Sequence, residues 1–216
     1  MNDYRQDSSD DHVTDPDAER LEQLWQGEFG DRYVERNSVD YPARRGFWER
    51  TIARYSAGTI LEVGCAHGDN FRYLDGLVDL GRTCGIDINE HGLLTLRDQS
   101  PNVSAVRGAA RHLPVRARSF DTVFTIGLLI HQPDSTLPAV MRELARCSRR
   151  WVMFGEYSSV EPTEIEYRGL SGVLFKRDYV SIFEETCPEY RHVDTEELTL
   201  EADGFDRVTW GVFERR

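Results

Sequence analysis

Short apolar runs, each bounded by charged or turn-forming residues, recur along the chain and predict the strands of one sheet. Parallel strands are expected near residues 59–63, 83–88, 103–107, 120–126 and 150–156. Two further runs, near residues 191–200 and 206–214, predict an antiparallel end of the sheet, with a helix over 178–187 before them. The pattern therefore predicts an α/β protein with a seven-stranded, mostly parallel sheet and helices on both faces.

The first predicted strand ends in an acidic residue, Glu62, which is followed by a turn containing Gly64 and Gly68. Glycine has no Cβ, so such a turn can adopt unusual dihedral angles and let a ligand approach the main chain. A strand that stops at a glycine-rich turn before a helix is typical of sites for adenosine-bearing cofactors. An ordinary turn of an α/β protein would explain the glycines equally well. The dinucleotide fingerprint G-x-G-x-x-G is incomplete, because a third glycine is missing.

The later strands also end in residues suited to a ligand. Asp87 ends the second strand, where an acidic side chain can accept hydrogen bonds from both hydroxyls of a ribose. Gly108 follows the third strand, and Gly127 follows the fourth, shortly before His131. Because ligands of open α/β sheets bind at the carboxyl ends of the strands, we expect these residues to share one site.

The order of these motifs resembles that of the class I S-adenosylmethionine (SAM)-dependent methyltransferases. The resemblance rests on the Glu62-x-Gly64-x-x-x-Gly68 spacing, the acid at the end of the second strand, the Leu113-Pro114 turn and the Phe120-Asp121-Thr122-Val123 strand. It implies a Rossmann-like fold, SAM as the cofactor and S-adenosyl-L-homocysteine (SAH) as the product.

The same resemblance implies a set of cofactor contacts from the lid and the strand ends. They are Trp25, Tyr33, Arg36, Asn37, Glu62, Gly64, Cys65, Ala66, Gly68, Asn70, Asp87, Ile88, Asn89, Gly108, Ala109, Ala110, Thr125, Ile126 and Gly127. One departure is plain. Ala109 and Ala110 stand where many members of the class have an acidic or hydroxyl residue for the adenine amino group. In this chain the backbone, or a neighbour such as Arg111, would have to help bind the adenine amino group.

The N-terminal segment is first acidic and then aromatic. Residues 1–18 lack periodic apolar positions and are expected to form a disordered acidic tail. Trp25, Phe29 and Tyr33 recur every four residues, so they share one face if the segment is helical. That face could simply pack on the domain, but in methyltransferases of this layout N-terminal helices cover the cofactor, and aromatic rings there attract a sulfonium. We therefore expect a methyltransferase domain over residues 19–216, with a lid over 19–56.

Motifs outside the core narrow the resemblance to the pseudaminic acid biosynthesis-associated methylases. They include Trp25-x-Gly27-x-Phe29-Gly30, Tyr167-Arg168-Gly169, Phe175-Lys176-Arg177-Asp178 and Thr209-Trp210. The resemblance covers residues 22–216 and implies a small polar methyl acceptor, such as a sugar, a sugar acid or a related biosynthetic intermediate.

The acceptor is expected at the end of the fifth strand and in the insertion over residues 157–178. Arginine binds carboxylates bidentately, and the predicted substrate contacts are Phe29, Tyr167, Arg168, Lys176 and Arg177. Arg168 and Lys176 would be equally ordinary as solvated surface charges. His131 is the first candidate for the general base, because an imidazole titrates near neutrality. Glu156 is the second, and Tyr157 is expected beside it; a capping or packing role is the alternative for His131.

Composition limits the partners. A chain of 216 residues suits one α/β domain, and a net charge of −12 argues against a nucleic-acid acceptor. No apolar run has the length of a membrane span, no signal-peptide pattern is visible, and the four cysteines lack C-x-x-C spacing, so we expect a cytoplasmic monomer or homodimer with no metal. A macromolecular or other natural-product acceptor, a non-catalytic SAM-binding module and an NAD-type oxidoreductase remain as alternatives.

Overall fold

The predicted strands pair into one seven-stranded sheet in a computed structural model of the chain, which describes residues 15–37, 40–55 and 58–216. The strands of this sheet are β1 (Ile60–Val63), β2 (Thr83–Asp87), β3 (Ser104–Arg107), β4 (Phe120–Ile126), β5 (Ser148–Glu156), β8 (Tyr190–Leu198) and β9 (Val208–Arg215). Their order is β3-β2-β1-β4-β5-β9-β8, and β9 runs antiparallel to both neighbours. The predicted mostly parallel sheet with an antiparallel end is confirmed.

Helices cover both faces of the sheet, as predicted. They are α1 (Pro16–Gln26), α2 (Glu28–Arg36), α3 (Pro42–Tyr55), α4 (Asp69–Leu74), α5 (Glu90–Gln99), α6 (Leu137–Cys147), α7 (Tyr179–Thr186) and α8 (Leu200–Asp203). Side chains of β1 alternate between the faces. Leu61 joins the core formed with α6 and α7, whereas Ile60 joins the core formed with α3, α4 and α5.

Helices α1 and α2 cover the first part of the segment predicted to be a lid, and we call them the lid; α1 begins earlier than the sequence predicts. The Asp15 carboxylate accepts hydrogen bonds from two backbone N–H groups of the first turn, and Pro16 occupies a position where a missing N–H costs nothing. The predicted tail boundary at residue 18 therefore falls inside α1, while residues 1–14 lie outside the described part of the chain. Gly27 has an extended backbone and separates α1 from α2, so the aromatic segment forms two helices instead of one.

The insertion contains a hairpin that the sequence analysis does not predict. Strands β6 (Thr163–Tyr167) and β7 (Leu170–Lys176) pair antiparallel, apart from the main sheet. The two residues between them, Arg168 and Gly169, both have positive φ angles, 56° and 77°. That geometry is typical of a tight hairpin turn, which places Arg168 at an exposed tip.

Candidate functional site

The turn after β1 has the strained geometry that its glycines allow. Gly64, Ala66 and Gly68 have φ angles of 74°, 46° and 82°. A Cβ at Gly68 would lie 2.3 Å from Leu96 Cδ1, so a side chain at this position would both strain the backbone and clash. The turn therefore requires glycine for its own fold, and it presents main-chain atoms at the carboxyl edge of the sheet.

A cavity, which we call the inner chamber, lies between the lid and the ends of β1, β2 and β4. Its walls include Ala18, Leu21, Glu22, Trp25, Tyr33, Gly64, Asp87, Ile88, Asn89, Gly108, Ala110, Arg111 and Gly127. Most of this surface is apolar, as is common in small-molecule sites. A flat base with a sugar attached is the kind of ligand that such a chamber suits.

Asp87 lies on the wall of the inner chamber, at the end of β2. Its two oxygens accept hydrogen bonds from Ala66 N at 2.7 Å and Asn89 N at 2.8 Å. Burial raises the pKa of this carboxyl above its usual value, against the pull of those N–H groups. Each carboxylate oxygen retains a lone pair, so Asp87 can still accept hydrogen bonds from ribose hydroxyls.

Asn89 serves the lid as well as the chamber. Its Oδ1 accepts from Gly92 N and caps α5, whereas its Nδ2 donates to Trp25 O and to Asp31 Oδ1. The side chain thus ties the lid to the sheet edge. The structure supports a positioning role for Asn89, beside the cofactor contact predicted from the sequence.

A second cavity, the outer chamber, continues toward β5, β7 and the segment before β9. Its walls include Asn37, Tyr41, Arg44, Glu62, Cys65, His67, Asn70, Ile126, Tyr157, Tyr167, Leu174, Phe205 and Asp206. Tyr33, Gly64, Ala66, Gly127 and His131 line both chambers. The two cavities therefore meet at this shared wall.

A buried carboxylate and a guanidinium lie on the wall of the outer chamber. Asn70 Nδ2 donates to Glu62 Oε1 at 2.6 Å, and among the described residues Glu62 Oε2 has no hydrogen-bond partner although it is buried. Burial raises the pKa of Glu62 to about 8. Arg44, from α3, donates to Gly204 O and lies 4.3 Å from the centre of the Phe205 ring. An ammonium would satisfy the orphaned oxygen, and Arg44 can bind a carboxylate.

His131 lies in the shared wall, in the short 3-10 helix after β4. Its Nδ1 is 2.6 Å from Val173 O, and because a carbonyl only accepts, Nδ1 carries the proton. Burial lowers the pKa of His131 to about 4, so the ring is neutral at physiological pH. The rings of Trp25 and Tyr167 lie 4.5 Å and 5.6 Å from it, centre to centre. The imidazole is therefore held in one tautomer, with the Nε2 lone pair left for another partner.

Glu156, the second candidate for the base, occupies a structural position. It is completely buried and lines neither chamber. Its Oε1 accepts from the backbone N–H groups of Leu128 and Leu129, and its Oε2 accepts from that of Ile130. Burial raises the pKa of Glu156 to about 8, and these donors oppose the shift. This arrangement corrects the predicted catalytic role, because the carboxylate holds the segment that carries His131 and does not reach a substrate.

The predicted acceptor residues are only partly brought together. Tyr157 and Tyr167 line the outer chamber, and the Tyr157 hydroxyl donates to Asp206 at 3.4 Å, where burial raises the pKa of the phenol to about 12. Arg177 is instead buried, with its Nε 2.7 Å from Asp134 Oδ1. Lys176 lies against the Tyr157 ring at 5.6 Å without lining the chamber. With Arg168 at the hairpin tip, the positions of these three cations do not support the predicted carboxylate site.

Other predicted contacts lie one layer behind the chambers. Phe29 packs against Tyr167, with ring centres 6.0 Å apart, and Arg36 lies over the rings of Phe29 and Tyr33. The residues predicted to touch the cofactor that line neither chamber are Arg36, Gly68, Ala109 and Thr125. These four residues therefore lie behind the chamber walls and do not form part of them.

Several wall residues were not predicted. Arg44, Tyr41 and His67 line the outer chamber, and Glu22 lines the inner one. His67 could have been considered, because it stands between the two glycines of the turn. Arg44 and Glu22 carry no comparable signal, since each resembles any charged residue on an amphipathic helix.

The fold is Rossmann-like, and two joined chambers lie at the carboxyl edge of its sheet. The sequence profile of a methyltransferase-domain family matches residues 60–150. A phthiotriol/phenolphthiotriol dimycocerosates methyltransferase of Mycobacterium leprae is 38% identical over 101 residues, which are 46% of this chain and 37% of that protein. The chain spans about a third of the length of the curated relatives that it matches.

Solved structures share the whole fold. The Burkholderia thailandensis 1,6-didemethyltoxoflavin-N1-methyltransferase, with its substrate and SAH bound, aligns with a TM-score of 0.70 at 13% identity, covering 98% of each chain. The Synechocystis PCC 6803 magnesium protoporphyrin IX methyltransferase with bound SAM aligns with a TM-score of 0.67 at 13% identity, covering 94% of this chain and 99% of the other. At this level of identity, the alignments show that the chain has the fold of these enzymes.

Two kinds of feature are absent from the part of the chain that the structure describes. No helix in this part is both long and apolar enough to span a membrane. Nor does it contain a group of three or more His, Cys, Asp or Glu side chains arranged to hold a metal ion.

Proposed function

We propose that this chain is a SAM-dependent methyltransferase that transfers a methyl group to a nitrogen or oxygen of a small polar metabolite. The observation that carries the proposal is the pair of joined chambers. One is apolar with an acid at the end of β2, and the other holds the unpartnered Glu62 oxygen and Arg44. SAM has matching parts: an adenosine, a sulfonium and an amino-acid end.

The chain's residues would divide the binding as follows. Asp87 would hold the ribose, while the orphaned Glu62 oxygen and Arg44 would hold the ammonium and carboxylate. Tyr33 lies where the chambers meet, so its ring would be close to the sulfonium, and cation–π attraction is worth about 0.5–2 kcal/mol. When bound, SAM supplies an electrophilic methyl group.

The protein's own contribution to catalysis would be to position the acceptor and to accept one proton from it. Holding an acceptor in line with the methyl group is worth up to roughly 7–11 kcal/mol of the barrier in favourable cases. His131 would take the acceptor's proton at Nε2, since its Nδ1–H is already donated to Val173 O. With a pKa of about 4 the ring is a weaker base than the sequence predicts, so it would take the proton as the new bond to the methyl carbon makes that proton acidic. General-base catalysis of this kind contributes about 10²–10⁴-fold. The lid helices α1 and α2 cover the inner chamber and would exclude water.

For the acceptor, we propose a polyhydroxylated metabolite such as a sugar or sugar acid. The resemblance to the pseudaminic acid biosynthesis-associated methylases supports this class. So do the polar groups that surround the acceptor side of the outer chamber, namely Asn37, Tyr157, Tyr167 and Asp206. Arg168 and Arg177 do not line the outer chamber, and Arg44 is assigned to the carboxylate of SAM, so these polar groups would bind hydroxyls of the acceptor.

Thermal unfolding tests the cofactor. SAM and SAH should raise the melting temperature, whereas NAD⁺ and NADH should not, because only a ligand that binds the native state stabilises it. Asp87→Ala should abolish the shift, and Asp98→Ala, which removes an exposed acid of α5, should preserve it. Stabilisation by nicotinamide cofactors alone would overturn the proposal.

Acceptor screening tests the chemistry. Neutral sugars, amino sugars and sugar acids would be incubated with labelled SAM, and methylated product would be identified by mass. His131→Ala should lower turnover at saturating SAM by about 10²-fold or more if Nε2 takes the proton. Unchanged turnover in that variant would remove His131 from the role of base.

A further inference from the structure

An ion pair between the lid and the sheet edge forms part of the inner chamber. Arg111, which follows β3, donates from Nε to Glu22 Oε1 at 2.6 Å and from Nη2 to Glu22 Oε2 at 3.0 Å. Glu22 belongs to α1, and both side chains are about three-quarters buried. Both line the chamber, beside the apolar surface of Ala18, Leu21 and Ala110.

Acidic groups are scarce in this chamber. Among the described residues that line it, Glu22 and Asp87 are the acidic ones. Asp87 stands at the end of β2, where it faces the ribose in the proposed function. Glu22 stands beyond it, with Ala110 and Arg111 after β3, and is therefore the carboxylate available to the base.

The pair retains unused hydrogen-bonding capacity. Each oxygen of a carboxylate can accept two hydrogen bonds, and Arg111 occupies one position on each Glu22 oxygen. A bidentate pair also fixes the carboxylate plane, so the remaining lone pairs have a defined direction. An N–H donor entering the chamber can be bound without breaking the pair.

Adenine offers such a donor. Its 6-amino group is the one N–H donor on the edge of the base, next to ring nitrogens that only accept. We propose that Glu22 accepts a hydrogen bond from the adenine 6-amino group and that Arg111 positions Glu22 for this contact. The inference rests on the proposed function and adds to it, because the carboxylate that recognises the adenine belongs to a lid helix and not to the edge of the sheet.

In this arrangement base recognition depends on the packing of α1 over the chamber, because Glu22 belongs to that helix. With α1 displaced, the Glu22 carboxylate leaves the chamber, and the strand side offers Ala109 and Ala110, which have no polar side chain. Discrimination for adenine should therefore depend on Glu22, although the residue is 89 positions from Arg111 in the chain.

Isothermal titration with two ligands tests the contact. One ligand is SAH, and the other is its analogue in which hydrogen replaces the 6-amino group. The wild type should bind SAH about tenfold or more tightly than the analogue, since a hydrogen bond to a charged group is worth about 1.5–3 kcal/mol. In Glu22→Ala the two affinities should differ by less than about threefold. Any general disturbance of the lid weakens both ligands alike, so the ratio isolates the amino group.

Controls separate the possible outcomes. Glu35→Ala removes an exposed lid carboxylate outside the chamber and should preserve the wild-type ratio. Arg111→Ala should reduce the ratio, and Arg111→Lys should restore part of it. A Glu22→Ala protein that still discriminates like the wild type would overturn the inference, as would a wild type that binds both ligands equally. A wild type that binds neither would instead overturn the proposed function.

Discussion

Replacement of Glu156 tests whether this residue positions the segment of His131 or acts on a substrate. The carboxylate accepts three buried backbone hydrogen bonds, from the N–H groups of Leu128, Leu129 and Ile130, at 3.1, 2.9 and 3.2 Å. A buried donor left without a partner costs about 1–3 kcal/mol. Since local relaxation and water recover part of the sum, Glu156→Ala should lower the free energy of unfolding by about 3–5 kcal/mol.

Glu156→Gln should have a smaller effect. The amide oxygen can occupy the Oε1 position and accept from Leu128 and Leu129, but the amide nitrogen would then face the Ile130 N–H, which also donates. One bond of the three is lost, so the expected cost is about 1–3 kcal/mol. Glu164→Gln is the matched control, because that carboxylate also accepts a backbone N–H, from Gly172, but is exposed. It should change stability by less than about 0.5 kcal/mol.

The assay is urea unfolding of each variant without ligand, followed by titration of the folded variants with SAH. The order of stability should be wild type, Glu156→Gln and then Glu156→Ala, with SAH affinity decreasing in the same order as the shared wall loosens. If Glu156→Ala unfolds within about 0.5 kcal/mol of the wild type, the positioning argument is refuted. A catalytic role would then have to be reconsidered.

Three further tests address the remaining wall residues. The native pKa of His131 is about 4 and the unfolded value is near 6.5. As pH falls from 6.5 to 4, the wild type should therefore lose about 3 kcal/mol of stability relative to His131→Asn in urea unfolding, whereas above pH 6.5 the difference between the two proteins should stay constant. Gly68→Ala should destabilise the protein by about 1–3 kcal/mol more than Gly76→Ala. Gly76 has a similar φ of 75°, but the atom nearest to an added Cβ is 3.9 Å away, so comparing the two melting curves isolates the clash with Leu96. Equal losses of stability would contradict this argument. In titration calorimetry, Arg44→Gln should weaken the binding of SAH by about tenfold or more and leave unchanged the binding of adenosine, which lacks the carboxylate. Equal weakening of both ligands would contradict the contact between Arg44 and the carboxylate.

Local pattern was sufficient for the frame of the site. Strands β1 to β5 end within a few residues of their predicted positions. Glu62 and Asp87 lie in the last two residues of their strands, and Gly64 and Gly127 directly follow theirs, as expected. Apolar alternation, strand ends and the glycine requirement of a turn are properties of neighbouring residues. The carboxyl ends of parallel strands meet at one edge, so these residues converge once the strands are assigned.

Long-range packing decided the roles of the charged side chains. Arg177 stands in a motif that suggests substrate binding, yet it is buried in a pair with Asp134, and Glu156 ends a strand like a catalytic acid but satisfies three backbone donors. Arg44 and Glu22 line the chambers only because α3 and α1 pack over them. The sequence by itself determined the sheet, the turn and the cofactor edge, because these depend on local pattern. Only the tertiary structure decided which charges line the chambers, because burial and partner choice depend on residues far apart in the chain.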